Sequence, residues 1–472
     1  MFTRVSIKCC IKSTILSRTY YKLLRCGNLS NIFSIFSRNK TTNINHHQIY
    51  GGNSIKPYKD SASIIADPNY YINLETKYGS INYKPLKVVI EHAKNCYVWD
   101  VNGKRYLDFT ASYATVSQGH CHSKIRDAII QQMNKVTLTS RVFYNAYLAD
   151  YQQMMCTRFD FERFFMASGG CEAAESSWKM ARAWGYIHKK IQDNNAIIVF
   201  AENNFAGRSI AAISASTDSS SYINYGPYVP NYIKVKYNDI SALEELFKIY
   251  PNICAYYFES IQGEAGIIIP QDGYLRKVRD LCTKYNILMI VDDIQMGLFR
   301  TGYRLSSDYE NIKPDLTILG KALSGGYLPI SAVGGRKDVI HSLLPGTHGS
   351  TYSCNPMACS ASYAAIDVLY DENLGENSKK QGEYLNILLQ QIKNKYCNFI
   401  KDIRGRGLAI GLEIYPENIN IDKLVNIIIE NGLLIKASHG KTLRISPPLT
   451  ITSDLIEEGV NIIEKSIEQY IL

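Results

Sequence analysis

An α/β fold, with a mainly parallel sheet covered on both faces by helices, is what the amino-acid sequence predicts, and three observations predict it. Short β-branched runs alternate with longer helical patterns between about residues 165 and 335. Unusual polar residues follow several of the apolar runs directly, where ligands gather in open α/β sheets. The chain has 472 residues, 46% hydrophobic and 20% charged, which is ordinary globular material with room for two or three packed units.

In chain order, the runs AIIVFA (196–201), AYYFES (255–260), ILMIVDD (287–293), LTILG (316–320) and PISAVGG (329–335) read as buried strands. Between them YLRKVRDLCTKYN (274–286) places its apolar residues at helical spacing. ASGGCEAAESSWKMARAWGY (167–186) opens on Ser168, Gly169 and Gly170 and continues as an amphipathic helix, with Glu172 and Glu175 in its first turns. The free N–H groups of Gly170 and Cys171, with the helix dipole, would cradle a phosphate. NPMACSASYAAIDVLYDENL reads as a long connecting helix before a C-terminal α+β segment.

The net charge of +9 suggests nucleic-acid binding until its distribution is examined. Ten Lys or Arg precede the first acid, Asp60, and the other 42 basic residues stand against 43 acidic ones. The body is not basic, so no nucleic-acid partner is expected. The acid-free, Ser/Thr-rich head with its spaced apolar residues has the composition of a mitochondrial transit peptide, followed by a polar linker. No run approaches the roughly 20 apolar residues of a membrane helix, and no membrane partner is expected. Twelve cysteines are scattered without a Cys-x-x-Cys pair, which suits a reducing compartment such as the mitochondrial matrix. His120, Cys121 and His122 in GHCH lack a second ligand pair, so no metal is expected. The expected divisions are 1–45 transit peptide and linker, 46–100 N-terminal arm and small-domain segment, 101–350 large cofactor domain, and 351–472 C-terminal small domain.

Chemistry concentrates in two stretches. ILMIVDDIQMGLFRTG delivers Asp292 and Asp293 directly after five apolar residues, and strand alternation lets only one of them face a given site. TILGKALSGGYLP places Lys321 after the next strand. A phosphate cradle, a buried acid followed by Gln295, and a lysine on the next strand end are the parts needed to hold pyridoxal phosphate with Lys321 as its covalent partner.

On these motifs the chain resembles the class III aminotransferases of fold type I, with a large domain built on a mainly parallel sheet and a smaller α+β domain. From about Tyr70 onward the segments YGSINYKPL, SYATVSQGHCH, TLTSRVFYN, ESIQGEAG, PGTHGSTYSCNP, RGRGLAIGLEI and NGLLIKASHGKTLRISPPL are similar, in order, to the members of that family that act on ornithine. The resemblance implies transfer of the δ-amino group of L-ornithine to 2-oxoglutarate, giving glutamate 5-semialdehyde and glutamate, by a homodimer or higher homo-oligomer. It implies that Lys321 and Asp292 are catalytic, with Asp292 on the pyridinium nitrogen and Lys321 moving the proton. Gln295 would bond the ring oxygen, Phe205 would stack on the ring, and Gly170 and Cys171 would hold the phosphate with Thr351 from a second subunit. Arg208, Tyr83 and Tyr113 would grip the α-carboxylate end of ornithine, while Glu264 masks Arg444 until 2-oxoglutarate arrives. Asp293, Met296, Ala206 and the Ser353-Cys354 pair depart from the family pattern. Two rival readings stay open: another class III enzyme acting on acetylornithine or 4-aminobutyrate, and a catalytically silent relative.

Overall fold

The computed structural model describes residues 65–415 and 419–472, so the expected transit peptide lies outside the described residues. Residues 65–472 form one compact unit. Its centre is a seven-stranded sheet in the spatial order Arg163–Ala167, Ser331–Gly335, Leu316–Leu319, Leu288–Asp292, Ile253–Phe258, Ile197–Ala201, Tyr232–Val235. Ser331–Gly335 runs antiparallel to both neighbours, and every other pairing is parallel. Each of the five expected runs is a strand. The two edge strands went unannounced: Arg163–Ala167 is only partly buried and Tyr232–Val235 is short with an exposed lysine, so neither reads as a long apolar run.

The central strands Ile253–Phe258, Leu288–Asp292 and Leu316–Leu319 are buried at every position, as expected for strands covered on both faces. One cover is the helix Gly170–Ile187, whose Ala173, Ala174, Trp178 and Ala181 are buried against the sheet. The other includes Tyr274–Lys284, with Leu275, Val278, Leu281 and Cys282 on one face. Fully burying a side chain of this size stabilises by about 1.5–3 kcal/mol, so these layers hold the strand ends rigidly.

Two smaller sheets flank this core. Ile90–Lys94, Tyr97–Asp100 and Arg105–Asp108 pair with Leu433–Leu434 from far along the chain. Ile400–Arg406, Ala409–Ile414, Thr442–Ile445 and Lys436–Ser438 form an antiparallel sheet. The long connecting helix is Pro356–Asp371, and Asn373 in the left-handed region separates it from a second helix, Leu374–Lys395. Arg300 is buried at the junction of these parts. Its guanidinium donates to the carbonyls of Leu408 (2.9 Å) and Pro447 (2.6 Å) and to Ser117 Oγ (2.8 Å), tying the C-terminal segments to the loop after Leu288–Asp292.

Candidate active site

The strand Leu288–Asp292 ends in a carboxylate because five apolar residues carry it through the core and stop there. Asp292 is 5% exposed. Its Oδ1 accepts the N–H of Ile294 at 2.9 Å, and its Oδ2 accepts the Tyr257 hydroxyl. Burial pushes its carboxyl up, against the pull of these two bonds and of Lys321. Asp293 has separate partners, the N–H (2.8 Å) and hydroxyl of Ser306, and burial pushes it to about 7. The two adjacent acids are thus divided as strand alternation requires.

Lys321 follows the neighbouring strand Leu316–Leu319 and has φ +44°, in the left-handed region, at the start of a 3₁₀ turn. Burial lowers its amine to about 8, while Glu264, Asp292 and Glu259 pull it back up and Arg444 pushes it further down. Ile294 packs the assembly together: a Cβ on Gly170 would lie 3.1 Å from it, and one on Gly320 would lie 3.3 Å from it. The start of the helix Gly170–Ile187, the Asp292 strand end and the lysine turn therefore meet around one side chain.

At that helix start, Glu172 accepts the N–H groups of Ser168 (2.9 Å) and Gly169 (3.3 Å). The next two N–H groups, those of Gly170 and Cys171, are left without intrahelical acceptors. The buried Ser168 hydroxyl has no partner among the described residues. Gly207, at φ +126°, lies so close that any Cβ would collide with Cys171 Sγ. Phe205, in the same loop, gives its N–H to Glu259 at 3.0 Å. Glu259 also accepts the N–H of Gly263 at 3.0 Å, and burial, with Asp292 beside it, pushes it up to about 8.

Beyond Lys321, Arg444 donates to Glu264 at 2.5 Å and is itself 7% exposed. The pair bridges two cavities of about 280 Å³ each. Arg444, Tyr113, Gln295 and Lys436 line one, and Glu264, Phe205, Arg208 and His439 line the other. The Arg444 guanidinium lies 5.2 Å over the Tyr113 ring, and Lys436 Nζ donates to the Tyr113 hydroxyl at 2.5 Å. Gln295 Nε2 reaches the Tyr113 carbonyl at 3.5 Å.

The structure thus brings together Lys321, Asp292, Gln295, Gly170, Cys171, Phe205, Tyr113, Glu264 and Arg444. Arg208 lines the second cavity, but its side chain is 59% exposed and stands 3.9 Å from Asp218. Tyr83 is 79% exposed and lines neither cavity. Thr351 is exposed, in a loop held to the helix Gly170–Ile187 by His348 on Ser176 (2.8 Å) and by Ser353 on Glu172 (3.4 Å). His120 and His122 are engaged by Asp108 and Glu372, each at 2.8 Å. Sequence reasoning missed Tyr257, Glu259 and Lys436. Glu259 follows the apolar run AYYF as Asp292 follows its own, so a signal was there.

A buried carboxylate with no cation in contact among the described residues, together with a helix start with open N–H groups and a lysine of lowered basicity, fits a phosphorylated pyridine aldehyde at its nitrogen, phosphate and carbonyl ends. Residues 78–467 match the model of the aminotransferase class-III family, and the chain belongs to that family. It is a pyridoxal 5′-phosphate-dependent aminotransferase of fold type I. Among its relatives, the chain is 46% identical to the mitochondrial ornithine aminotransferase of Drosophila melanogaster, over 83% of this chain and 90% of that one. It is 44% identical to the ornithine aminotransferase of Plasmodium yoelii yoelii, over 86% and 97%. The solved structure of the ornithine aminotransferase from Toxoplasma gondii ME49 superposes with a TM-score of 0.86 at 39% identity, covering 89% of this chain and 99% of that one.

Proposed function

We propose that the chain transfers the δ-amino group of L-ornithine to 2-oxoglutarate, yielding glutamate 5-semialdehyde and glutamate. The observation that carries this reading is the Arg444–Glu264 pair, 2.5 Å apart, in the electrostatic field of Lys321. One site must accept a cationic diamine and then a dianion, and a paired arginine serves both. While Glu264 neutralises Arg444 the site does not attract a second carboxylate. Once Glu264 turns away, the guanidinium takes one in bidentate fashion.

When bound, pyridoxal phosphate supplies the electron sink that makes a proton on the amine-bearing carbon removable. Asp292 would hold a proton at the ring nitrogen. Gln295 would bond the ring oxygen, and Phe205 would pack on the ring. The N–H groups of Gly170 and Cys171 would bind the phosphate, joined by Thr351 of a second subunit in a homodimer. Lys321 would anchor the aldehyde carbon and, once the substrate amine displaces it, would as a partly neutral amine take the δ-carbon proton and pass it to the cofactor. Tyr113, Tyr83 and Arg208 orient the α-carboxylate end of ornithine, so the δ-amine reaches the cofactor.

Residues 1–45 direct the chain to the mitochondrial matrix. The acid-free basic head supports this, as does the mitochondrial designation of the fly relative, although the Plasmodium relative carries no such designation. The function is tested by the colour of the purified protein: L-ornithine should bleach the bound cofactor's yellow band and 2-oxoglutarate should restore it. Bleaching by N-acetylornithine or 4-aminobutyrate in preference to ornithine would replace this substrate with theirs.

A further inference from the structure

Tyr257 belongs to neither a substrate cavity nor any motif, yet it touches the residue on which the cofactor site depends. It lies in the strand Ile253–Phe258, where it is paired with Ile290 of the adjacent strand. Asp292 is two residues beyond Ile290, so both side chains leave the same face of the sheet. The Tyr257 ring is fully buried, packed edge-on against Trp178 (5.4 Å, 79°) and tilted against Phe200 (5.5 Å, 51°). Trp178 sits on the helix whose first N–H groups form the phosphate cradle. The ring cannot leave without disturbing that helix. The only hydrogen-bond partner of its hydroxyl among the described residues is Asp292 Oδ2.

We propose that Tyr257 is a positioning residue of the cofactor site, its hydroxyl orienting the Asp292 carboxylate and stabilising its charged form for a cationic ring nitrogen. The inference rests on the cofactor reading above. Burial beside Asp292 and Glu259 holds the phenol's own pKa well above its ordinary value, so Tyr257 remains a donor throughout the working pH range. A carboxylate withdrawn from water needs such donors to stay ionised, and the Ile294 N–H is the only other one among the described residues. The two bonds take one oxygen each. Together they fix the carboxylate plane and leave one lone pair per oxygen for the ring.

The test is Tyr257→Phe, which keeps the packing ring and removes only the hydroxyl. Apoprotein is titrated with pyridoxal phosphate, and the absorption band of the bound cofactor is recorded. A hydrogen bond to a charged group of this kind corresponds to about a tenfold or greater rise in the cofactor Kd. The bound band should change position or intensity, and kcat should fall while KM for ornithine stays level. In an Asp292→Asn background, where no carboxylate remains to be stabilised, adding Tyr257→Phe should weaken cofactor binding no further. An unchanged Kd and spectrum in Tyr257→Phe, or an equal loss in both backgrounds, overturns the proposal. Failure of the wild-type apoprotein to take up pyridoxal phosphate would instead overturn the cofactor reading.

Discussion

Two arginines assigned to carboxylates sit in contrasting settings. Arg444 lies on the strand Thr442–Ile445, is 7% exposed, and meets Glu264 at 2.5 Å with Tyr113 beneath it. Arg208 lies in the loop after Ile197–Ala201, is 59% exposed along its side chain, and stands 3.9 Å from Asp218. The same contrast divides the rest of the site. Asp292 and Lys321 lie at or just beyond the ends of central strands, whereas Tyr83 and Thr351 lie on exposed segments. Strand ends are positioned by the core of one chain, whatever else is present. Under the proposed function the exposed Tyr83, Arg208 and Thr351 would take their working positions from substrate or from a second subunit, whereas Asp292, Lys321 and the Arg444–Glu264 pair are already set by the fold.

The largest effect that separates the two halves is at Lys321. Lys321→Ala should lower transamination by at least about a thousandfold, since it removes the proton carrier and the covalent anchor together. Borohydride reduction of wild-type holoenzyme should trap the cofactor on a peptide containing Lys321. Trapping at another lysine would break the comparison at its rigid end. Next comes Asp292→Asn, which keeps the shape and removes the charge opposite the ring nitrogen. A loss in kcat of about a hundredfold is expected, the scale of deleting one preorganised electrostatic contact, with KM for both substrates little changed.

At the exposed end, Tyr83→Phe should lower kcat/KM for ornithine about ten- to a hundredfold while 4-aminobutyrate, lacking an α-amino group, stays level or improves. Equal loss with both substrates would make Tyr83 a wall and not a discriminator. The smallest effect is on the stability of the apoprotein. The Lys321 amine titrates near 10.5 when unfolded and near 8 when folded, so between those values the unfolded chain binds more protons. Apoprotein stability should therefore rise with pH across that window. Lys321→Met should flatten the rise in urea melts taken at pH 8, 9 and 10.

The contrast between buried and exposed parts also explains what could be read from the sequence. The five buried strands were legible because a strand covered on both faces must be continuously apolar, and the edge strands were not because they are short or half-covered. Asp292, Gln295 and Lys321 were legible as polar residues that break apolar runs in consecutive strands. Tyr257 was not, because an aromatic residue within the apolar run AYYF reads as core, and only the register with Ile290 shows that its hydroxyl meets Asp292. Lys436 was hidden for a different reason. Its contact with Tyr113 joins residues 323 positions apart, and no local pattern marks it. Glu259 was within reach, since it directly follows a fully apolar strand.

The measurement that bears most directly on the account follows the two half-reactions separately, by rapid mixing, in wild type and in Glu264→Gln. The substitution removes the charge that masks Arg444 and leaves the cofactor contacts in place. The account predicts that the half-reaction with L-ornithine slows by about tenfold, because an unmasked guanidinium repels the diamine and captures its carboxylate in the wrong orientation. The half-reaction with 2-oxoglutarate should keep its rate or reach it at lower concentration. Equal slowing of both half-reactions would contradict the switch and leave Glu264 as a support for the site.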